Sequence, residues 1–434
     1  MDQKRLRVCL MNDSFPPVID GVANATKNYA QVIQDELGEA IVATPQYPDV
    51  EDRYDFPVVR YRRVDTTRLI GYRAGYPFSA RTLASLSDFR PDIIHSHCPV
   101  MSNTLGRLLR ERVDVPLVFT YHTKFDVDIS HAVENKLIRA AAIRMLVSSI
   151  ESSDEVWVVS RGAGENLRSL GYQGDWRVMA NGVDFPRGPV PRDKSGALRA
   201  QLGIPAGTPV FLFVGRMMWY KGVRIILDAL AMARREQYDC RMVFVGDGAE
   251  REEMQETAEQ LGIGDRCLFP GAVRDRELLR TYFSMADLFL FPSSYDTNGI
   301  VVREAAACGL GSILIRGSCA AEDITDGQNG ILIEENAQSL WAALKRLSLE
   351  QMHAVGEHAL QEIYISWEDS VRRAYDRYQV VIDQYRQGHT TRHFELSDDF
   401  LSFMCYICRS IAYARTVRDR GMRRLGLRRD RPEE

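Results

Sequence analysis

Short apolar runs alternate with helical stretches along most of the chain, and this alternation constrains the fold more than any other feature. The first half contains RLRVCLMND, AIVATP, PDIIHSH, VPLVFTYH and DEVWVVS, and the second half starts again at PVFLFVGR. Short continuous apolar runs separated by helices are typical of parallel strands covered on both faces. The pattern breaks in residues 185–208, which are rich in Pro and Gly and are predicted to form a hinge.

The length of the chain allows two domains. With 434 residues, 45% of them hydrophobic and 26% charged, it is long enough for two globular domains of roughly 200 residues each. We predict an α/β protein with two Rossmann-like, parallel-sheet domains that face each other across a cleft. The predicted divisions are two domains at 1–190 and 191–365, a helix that crosses back to the first domain at 366–390, and a helical basic tail at 391–434.

The loop and helix in Tyr295–Gly311, YDTNGIVVREAAACGLG, follow an apolar strand that ends in FLFPSS. Gly299 precedes a helix predicted to open near Ile300, and a glycine there lets the backbone come close to a ligand. The first N–H groups and the positive dipole end of that helix suit a phosphate. Asp296 and Glu304, with seven residues between them, would hold two ends of an elongated polar ligand such as a sugar nucleotide.

This pattern resembles the signature of the retaining glycosyltransferases of family 4, which have the GT-B fold and include lipid-directed α-glucosyl- and α-mannosyltransferases. Their signature is a pair of acids with seven residues between them, usually both Glu. The resemblance implies that Asp296 holds the hydroxyls of the donor sugar and that Glu304 holds the nucleotide ribose. It also implies that the first domain is the acceptor side and the second binds the nucleotide sugar. Asp296 is one carbon shorter than the usual Glu, which keeps the hydrogen-bond chemistry and leaves the sugar's identity open.

Two cations follow the first strand of the second half. Arg216 and Lys221 lie in VGRMMWYKGV, around a loop that starts a helix. Such cations suit a pyrophosphate leaving group, because negative charge builds on it as the glycosidic bond breaks. The family's G-R-x4-K-G arrangement does this work, so the resemblance assigns it to Arg216 and Lys221. The alternative is a pair of solvated surface cations.

The first half contributes further candidates. Gly21 lies in FPPVIDGVANAT, between the first strand and the first helix, where the family usually has two glycines and this chain has Asp20 before one. The resemblance implies that Gly21 lets this loop approach the donor phosphate and the acceptor; a plain strand-to-helix turn is the alternative. His122 ends the strand VPLVFTYH, and the resemblance implies that it contacts the donor sugar and orders the reacting groups. His95 and His97, in HSH, are expected to be satisfied polar side chains rather than acceptor contacts.

The predicted site has no metal and no other cofactor. Asp126 and Asp128 form a D-x-D, which binds a divalent metal in a different class of glycosyltransferases, but the two cations and a helix N-terminus already neutralise the leaving group. The catalytic set is His122 and Asp296; the donor-binding set is Gly21, Arg216, Lys221, Asn298, Gly299, Ile300 and Glu304; the acceptor-side candidates are Asp20 and Asp126.

Charge is distributed unevenly along the chain. The formal net charge of −4 gives no reason to expect nucleic acid. In the tail, the apolar residues 400–414 overlap a run from Arg409 to Arg431 that holds nine arginines and two aspartates. Such a segment suits a helix lying in an anionic lipid surface, with a helix packed on the protein as the alternative. The basic stretch Arg60–Arg73 also favours a membrane-held acceptor.

Together these features predict a retaining glycosyltransferase. It would move glucose or mannose from a UDP- or GDP-hexose to an acceptor hydroxyl, on a membrane lipid such as diacylglycerol or another glycolipid, and form an α bond. The alternatives are a sugar-nucleotide epimerase with the same two-domain plan and a non-catalytic protein that binds a sugar nucleotide. Because MDQKRLRVCLMNDSF lacks the apolar run of a signal peptide, we expect a cytoplasmic protein that can lie on the inner face of the cell membrane.

Overall fold

The computed structural model divides the chain into two compact α/β units. Unit 1 comprises the described parts of Met1–Val158, Asn166–Arg177 and Arg372–Glu434, and unit 2 those of Val159–Glu165 and Val178–Val371. The structure describes residues 5–18, 20–47, 50–64, 74–122, 135–294, 296 and 299–388.

Unit 1 is built on a parallel sheet whose strands carry the apolar runs of the first half. The strands are β1 (Arg7–Met11), β2 (Glu39–Pro45), β3 (Val58–Tyr61), β4 (Arg63–Val64), β5 (Ala74–Gly75), β6 (Ile93–Ser96), β7 (Leu117–Tyr121), β8 (Glu155–Val158) and β9 (Arg177–Val178). Seven of them form one sheet in the order β3-β2-β1-β6-β7-β8-β9, while β4 and β5 form a short antiparallel pair. The parallel register from β3 to β8 confirms the parallel sheet that the apolar runs predict.

Helices follow the strands of unit 1, as a doubly wound sheet requires. Buried Leu, Ile and Met side chains between sheet and helices form the core, among them Met11, Ile94 and Leu105. The helices of the first half are α1 (Gly21–Val32, extended by a π turn at Ile33–Leu37), α2 (Ala80–Asp88), α3 (Met101–Val113), α4 (Lys136–Glu151) and α5 (Arg161–Ser169).

Unit 2 contains a second parallel sheet. Its strands are β10 (Val210–Val214), β11 (Arg241–Val245), β12 (Cys267–Gly271), β13 (Leu288–Phe291), β14 (Ser312–Ile315) and β15 (Ile331–Ile333). They are ordered β12-β11-β10-β13-β14-β15, and every neighbouring pair is parallel. The strand order reverses beside β10, and in open parallel sheets ligands bind outside the carboxyl ends of the strands at such a point.

The helices of unit 2 cover both faces of this sheet around a core rich in Phe. They are α6 (Arg192–Gln201), α7 (Val223–Arg235), α8 (Arg251–Gln260), α9 (Arg276–Met285), α10 (Ile300–Ala307), α11 (Ala337–Arg346), α12 (Leu349–Glu362) and the start of α13 (Trp367–Arg386).

Helix α6 differs from the sequence-based expectation, because it lies inside the segment predicted to be an irregular hinge. Leu198 is buried, and the Arg199 guanidinium donates to the Met285 carbonyl at 2.6 Å and to the Asp287 carboxylate at 2.8 Å. These contacts to distant residues stabilise the helix despite the Pro and Gly residues on either side.

Helix α13 begins in unit 2 and continues into unit 1. Near its start, Ser370 donates to the Ala180 carbonyl at 2.7 Å. Further along, the Tyr375 hydroxyl accepts from the Leu6 amide at 2.6 Å, and the Arg377 guanidinium pairs with the Glu155 carboxylate of β8. The last part of α13 is therefore tied to the sheet of unit 1.

Candidate functional site

The loop after β10 is fixed against the end of β13. A short 3-10 turn, Trp219–Lys221, leads through Gly222 into α7. Gly222 has a φ of +77°, and a Cβ there would lie 1.9 Å from the carbonyl oxygen of Pro292, which follows β13. Glycine is required at this position for both reasons. The backbone contact holds Lys221 close to the loop that carries Asp296.

Lys221 and Asp296 form an ion pair at the carboxyl edge of the sheet. Their strands, β10 and β13, are parallel neighbours, so the residues that follow them emerge side by side. The Lys221 Nζ donates to the Asp296 Oδ1, and the Ser293 hydroxyl donates to the Asp296 Oδ2 at 2.7 Å. Lys221 is only 8% exposed, and its Nζ lies 5.9 Å from the centroid of the Phe291 ring. The side chain predicted to bind the diphosphate, Lys221, is thus in direct contact with the side chain predicted to bind the sugar, Asp296.

Helix α10 begins at Ile300, as predicted. Gly299 is its N-cap in the left-handed region, with a φ of +54°, and a Cβ there would lie 3.0 Å from the Ala320 Cα. The positive end of the α10 dipole is therefore at the loop that holds Asp296. Arg216 is exposed, and no residue in the described part of the chain forms a hydrogen bond or ion pair with its side chain. The predicted donor contact Asn298 lies outside the described residues.

Glu304 lies in the second turn of α10 and is paired with a cation that the sequence analysis missed. The Arg276 Nη2 donates to the Glu304 Oε1 at 2.7 Å. The same nitrogen lies 3.8 Å from the Asp184 carboxylate, and the guanidinium covers the Phe185 ring at 4.3 Å from its centroid. Burial raises the pKa of Glu304, and Arg276 opposes that rise. Asp184 is the last residue of the segment NGVD, at residues 181–184.

In unit 1, Asp20 caps helix α1. Its carboxylate accepts from the Ala23 amide at 2.7 Å and from the Ser14 hydroxyl. The capping role alone explains why an aspartate precedes the helix, so the contact of Asp20 with the acceptor stays a prediction. A Cβ built on Gly21 would meet no atom within 4 Å. The local packing therefore does not demand a glycine at 21, and the predicted close approach of a ligand stays a prediction too.

His122 belongs to a group of buried histidines at the ends of β6 and β7. Its Nε2 is 2.9 Å from the His97 Nδ1, and burial lowers the pKa of His122 to about 3. His95 is satisfied on both ring nitrogens, by the Tyr378 hydroxyl at 2.5 Å and the Thr120 hydroxyl at 2.7 Å. His95 is thus the satisfied polar side chain that was expected. For His97 the expectation is wrong, because its Nε2 is buried and has no hydrogen-bond partner among the described residues. His122 is a neutral imidazole at pH 7.

The basic stretch of the first half is only partly described. Arg60 donates to the Asp52 carboxylate at 2.7 and 2.8 Å and to the Pro16 carbonyl at 2.7 Å, so its charge is already paired. Residues 65–73 lie outside the described part of the chain, as do Asp126, Asp128 and residues 391–434.

The described residues contain neither a metal-binding cluster of side chains nor a membrane-spanning helix. Within the ranges that the structure describes, no three His, Cys, Asp or Glu side chains are grouped so that they could hold a metal ion. None of the helices in those ranges combines the length and the apolar character needed to span a bilayer.

The chain matches two family models, one in each half. The model described as "Glycosyltransferase Family 4" matches residues 19–187, and the model described as "Glycosyl transferases group 1" matches residues 195–361. The second match contains Arg216, Lys221, Asp296 and Glu304. The paired acids and paired cations therefore lie within the part of the chain that is similar to glycosyltransferases.

Relatives and solved structures agree with these models. The chain is 25% identical to the alpha-monoglucosyldiacylglycerol synthase of Streptococcus pneumoniae, over 86% of this chain and 85% of that protein. It is 31% identical to the D-inositol 3-phosphate glycosyltransferase of Corynebacterium jeikeium, over 66% of this chain and 72% of that protein. The fold is similar to that of Anabaena Alr3699/HepE, solved in complex with UDP, with a TM-score of 0.68, 18% identity and coverage of 86% of this chain and 100% of that one.

Proposed function

The chain belongs to glycosyltransferase family 4, and we propose that it is a retaining, GT-B enzyme that transfers glucose or mannose from a UDP- or GDP-hexose to a hydroxyl of a membrane lipid. The observation that carries the donor part of this proposal is the contact between Lys221 and Asp296 beside the start of α10. In a sugar nucleotide, the anomeric carbon and the second phosphorus are joined through one oxygen. A cation for the phosphate and an acid for the sugar must therefore lie close together.

Donor binding exchanges the partners of this ion pair. The diphosphate competes with Asp296 for the Lys221 ammonium, and the Asp296 carboxylate then accepts hydrogen bonds from the sugar hydroxyls. Arg216 is exposed, and its guanidinium would meet the diphosphate. Both cations stabilise the charge that grows on the leaving diphosphate, and this stabilisation is larger in the transition state than in the bound donor.

Retention of the anomeric configuration follows from a front-face route. The acceptor hydroxyl attacks on the side from which the diphosphate departs, and a diphosphate oxygen takes its proton as the new α bond forms and the C–O bond to phosphate breaks. His122 does not serve as the acid, because its low pKa keeps it neutral. It acts as a hydrogen-bonding group that orders the sugar. No metal takes part in this scheme, because the two cations and the helix dipole neutralise the leaving group.

The lipid acceptor has two lines of support. One is the similarity to the alpha-monoglucosyldiacylglycerol synthase of Streptococcus pneumoniae. The other is helix α4 in unit 1, which exposes large apolar side chains: Leu137 is 82% exposed, Ile138 60% and Met145 74%. Leu137 and Met145 are eight residues apart and share a face of the helix, with exposed Lys136 and Arg144 nearby. Apolar side chains flanked by cations suit an anionic membrane surface.

The basic tail is the second proposed membrane contact, and it places the enzyme on the inner face of the cell membrane. Deletion of residues 395–434 should weaken binding to vesicles that contain phosphatidylglycerol. Binding is measured by co-sedimentation, with vesicles of neutral lipid as the control. Unchanged binding after deletion would rule out a membrane role for the tail and leave α4 as the proposed contact.

A transfer assay tests the proposed function. The full-length chain is incubated with radiolabelled UDP-glucose or GDP-mannose and diacylglycerol in phosphatidylglycerol vesicles, and the lipids are extracted. The proposal predicts one labelled glycolipid that an α-glycosidase cleaves and that Asp296→Ala does not make. A labelled isomer of the donor formed without acceptor would instead indicate an epimerase. Bound but unchanged donor in every combination would indicate a binding protein.

A further inference from the structure

Arg276 lies where it can control the carboxylate of Glu304. It is the first residue of α9, after the N-cap Asp275, whose carboxylate accepts from the Glu277 amide at 2.9 Å. The Arg276 Nη2 donates to the Glu304 Oε1 at 2.7 Å and lies 3.8 Å from the Asp184 Oδ2. One guanidinium therefore meets two carboxylates from different segments of unit 2.

The orientation of this guanidinium is fixed by an aromatic ring. The centre of the Arg276 guanidinium is 4.3 Å from the centroid of the Phe185 ring, which is the distance of a cation–π contact. Phe185 is buried, so the surface on which the guanidinium lies is rigid. A lysine could supply the charge at 276 but not the planar stack or the fork of donors.

Arg276 favours the charged form of the Glu304 carboxylate. The Glu304 side chain is 13% exposed, and burial is the largest influence on its pKa, which is raised. Arg276 lowers that pKa through its charge and its hydrogen bond, while Asp184 raises it. The Cys308 thiol, one turn further along the chain, also interacts electrostatically with Glu304, and burial raises the pKa of that thiol to about 12. Without Arg276, the Glu304 carboxylate would be buried beside a like charge.

We propose that Arg276 is a positioning residue for the nucleotide: it keeps Glu304 ionised and turns one carboxylate oxygen toward itself, so that the other oxygen accepts from the ribose hydroxyls. This inference rests on the proposed function, which gives Glu304 the ribose. Glu304 Oε1 is occupied by Arg276, and the two lone pairs of Oε2 match the two donors of a ribose diol. Arg276 itself touches no substrate in this arrangement.

The competing explanation is an ordinary surface ion pair. Arg276 is 45% exposed, and exposed pairs contribute little to stability. Such a pair would influence the thermal stability of unit 2 but not the way nucleotide affinity changes with pH. The pH dependence of binding therefore separates a positioning role from a structural one.

The experiment measures binding of UDP and of 2′,3′-dideoxy-UDP by calorimetry between pH 5.5 and 8.5. If the transfer assay selects a GDP-sugar, GDP and 2′,3′-dideoxy-GDP take their place. Arg276→Gln should weaken UDP binding by about tenfold or more at pH 6 and by less at pH 8, because removal of the cation raises the pKa of Glu304 and an acidic solution then protonates it. Arg276→Lys should keep the wild-type pH profile at a reduced affinity. Arg234→Gln is the matched control, since Arg234 is a similarly exposed member of an ion pair with Asp265.

The two diphosphates separate this inference from the proposed function. The quantity compared is the ratio of the affinity for UDP to the affinity for 2′,3′-dideoxy-UDP. If Glu304→Gln keeps the wild-type ratio, Glu304 does not bind the ribose and the proposed donor site is wrong. If Glu304→Gln loses the ratio but Arg276→Gln keeps both the ratio and the wild-type pH profile, only the role of Arg276 is overturned. A loss of the ratio in both variants, with the pH shift in Arg276→Gln, supports the proposal.

Discussion

Replacement of Asp296 by Asn should separate nucleotide binding from sugar transfer. In the ligand-free protein, the Asp296 carboxylate occupies the Lys221 ammonium, which the diphosphate is proposed to use. The Asn side chain has the same shape and can still accept from the Ser293 hydroxyl, but it no longer carries the charge that holds Lys221. Lys221 is then free before the nucleotide arrives.

The two effects of Asp296→Asn have opposite signs. The side chains of the pair are 10% and 22% exposed, so the pair is more buried than a surface pair and near the upper end of the ~0.2–1 kcal/mol range for exposed ones. Release from this competition should tighten UDP binding by up to about fivefold. Loss of hydrogen bonds from the sugar to a charged acceptor should cost about 1.5–3 kcal/mol in the transition state, which lowers kcat/KM by roughly 10- to 150-fold.

Calorimetry with UDP and a transfer assay on the same preparation test this prediction. Asp228→Asn is a suitable control, because Asp228 is paired with Arg224 on the exposed side of α7 and both measurements should keep their wild-type values. A parallel loss of UDP affinity and transfer in Asp296→Asn would mean that Asp296 supports the fold of the loop. Transfer at the wild-type rate would show that Asp296 does not hold the sugar.

Three further predictions follow from single residues. Gly222→Ala should lower the free energy of unfolding, measured by chemical denaturation, by about 2 kcal/mol or more, and by more than Gly207→Ala does. Both glycines have a positive φ, but only a Cβ at 222 would meet another atom. Equal losses in the two variants would contradict the contact at 222. The pKa of His122 is about 3 in the folded protein and 6.5 in the unfolded chain, so the free energy of unfolding should fall as the pH drops below 6.5. His122 contributes about 1.4 kcal/mol per pH unit to this fall, and the dependence of the free energy of unfolding on pH should be weaker by that amount in His122→Asn. Leu137→Glu should reduce co-sedimentation with phosphatidylglycerol vesicles. Val380 is another exposed apolar residue, and Val380→Glu should leave co-sedimentation unchanged. Equal effects of the two substitutions would argue against α4 as a specific membrane contact.

The fold was predictable because its strands are short and buried on both faces. The apolar runs that become β10 and β13 are continuous, and no other local structure would bury them as well. Lys221 and Asp296 each follow one of these two strands, and the parallel pairing of the strands brings both residues to one edge of the sheet. The missed strand β3 is only four residues long and is mostly half-buried, so it has no comparable apolar signal.

Contacts between distant segments were not predictable from the sequence. Arg276 and Glu304 are 28 residues apart, and nothing in RDRELL marks its first helical residue as the partner of an acid in the next helix. Helix α6 depends in the same way on Arg199 reaching Asp287, which is 88 residues away. The capping role of Asp20 did have a local signal, because an aspartate before a helix is a preferred N-cap.

A crystal structure of the chain with its intact hexose donor would show which side chains bind the diphosphate, the sugar and the ribose. We expect the Lys221–Asp296 ion pair to be broken, with diphosphate oxygens on the Lys221 ammonium, a sugar hydroxyl on the Asp296 carboxylate and the ribose on Glu304. A donor bound elsewhere in unit 2, or one that leaves the ion pair between Lys221 and Asp296 intact, would contradict it.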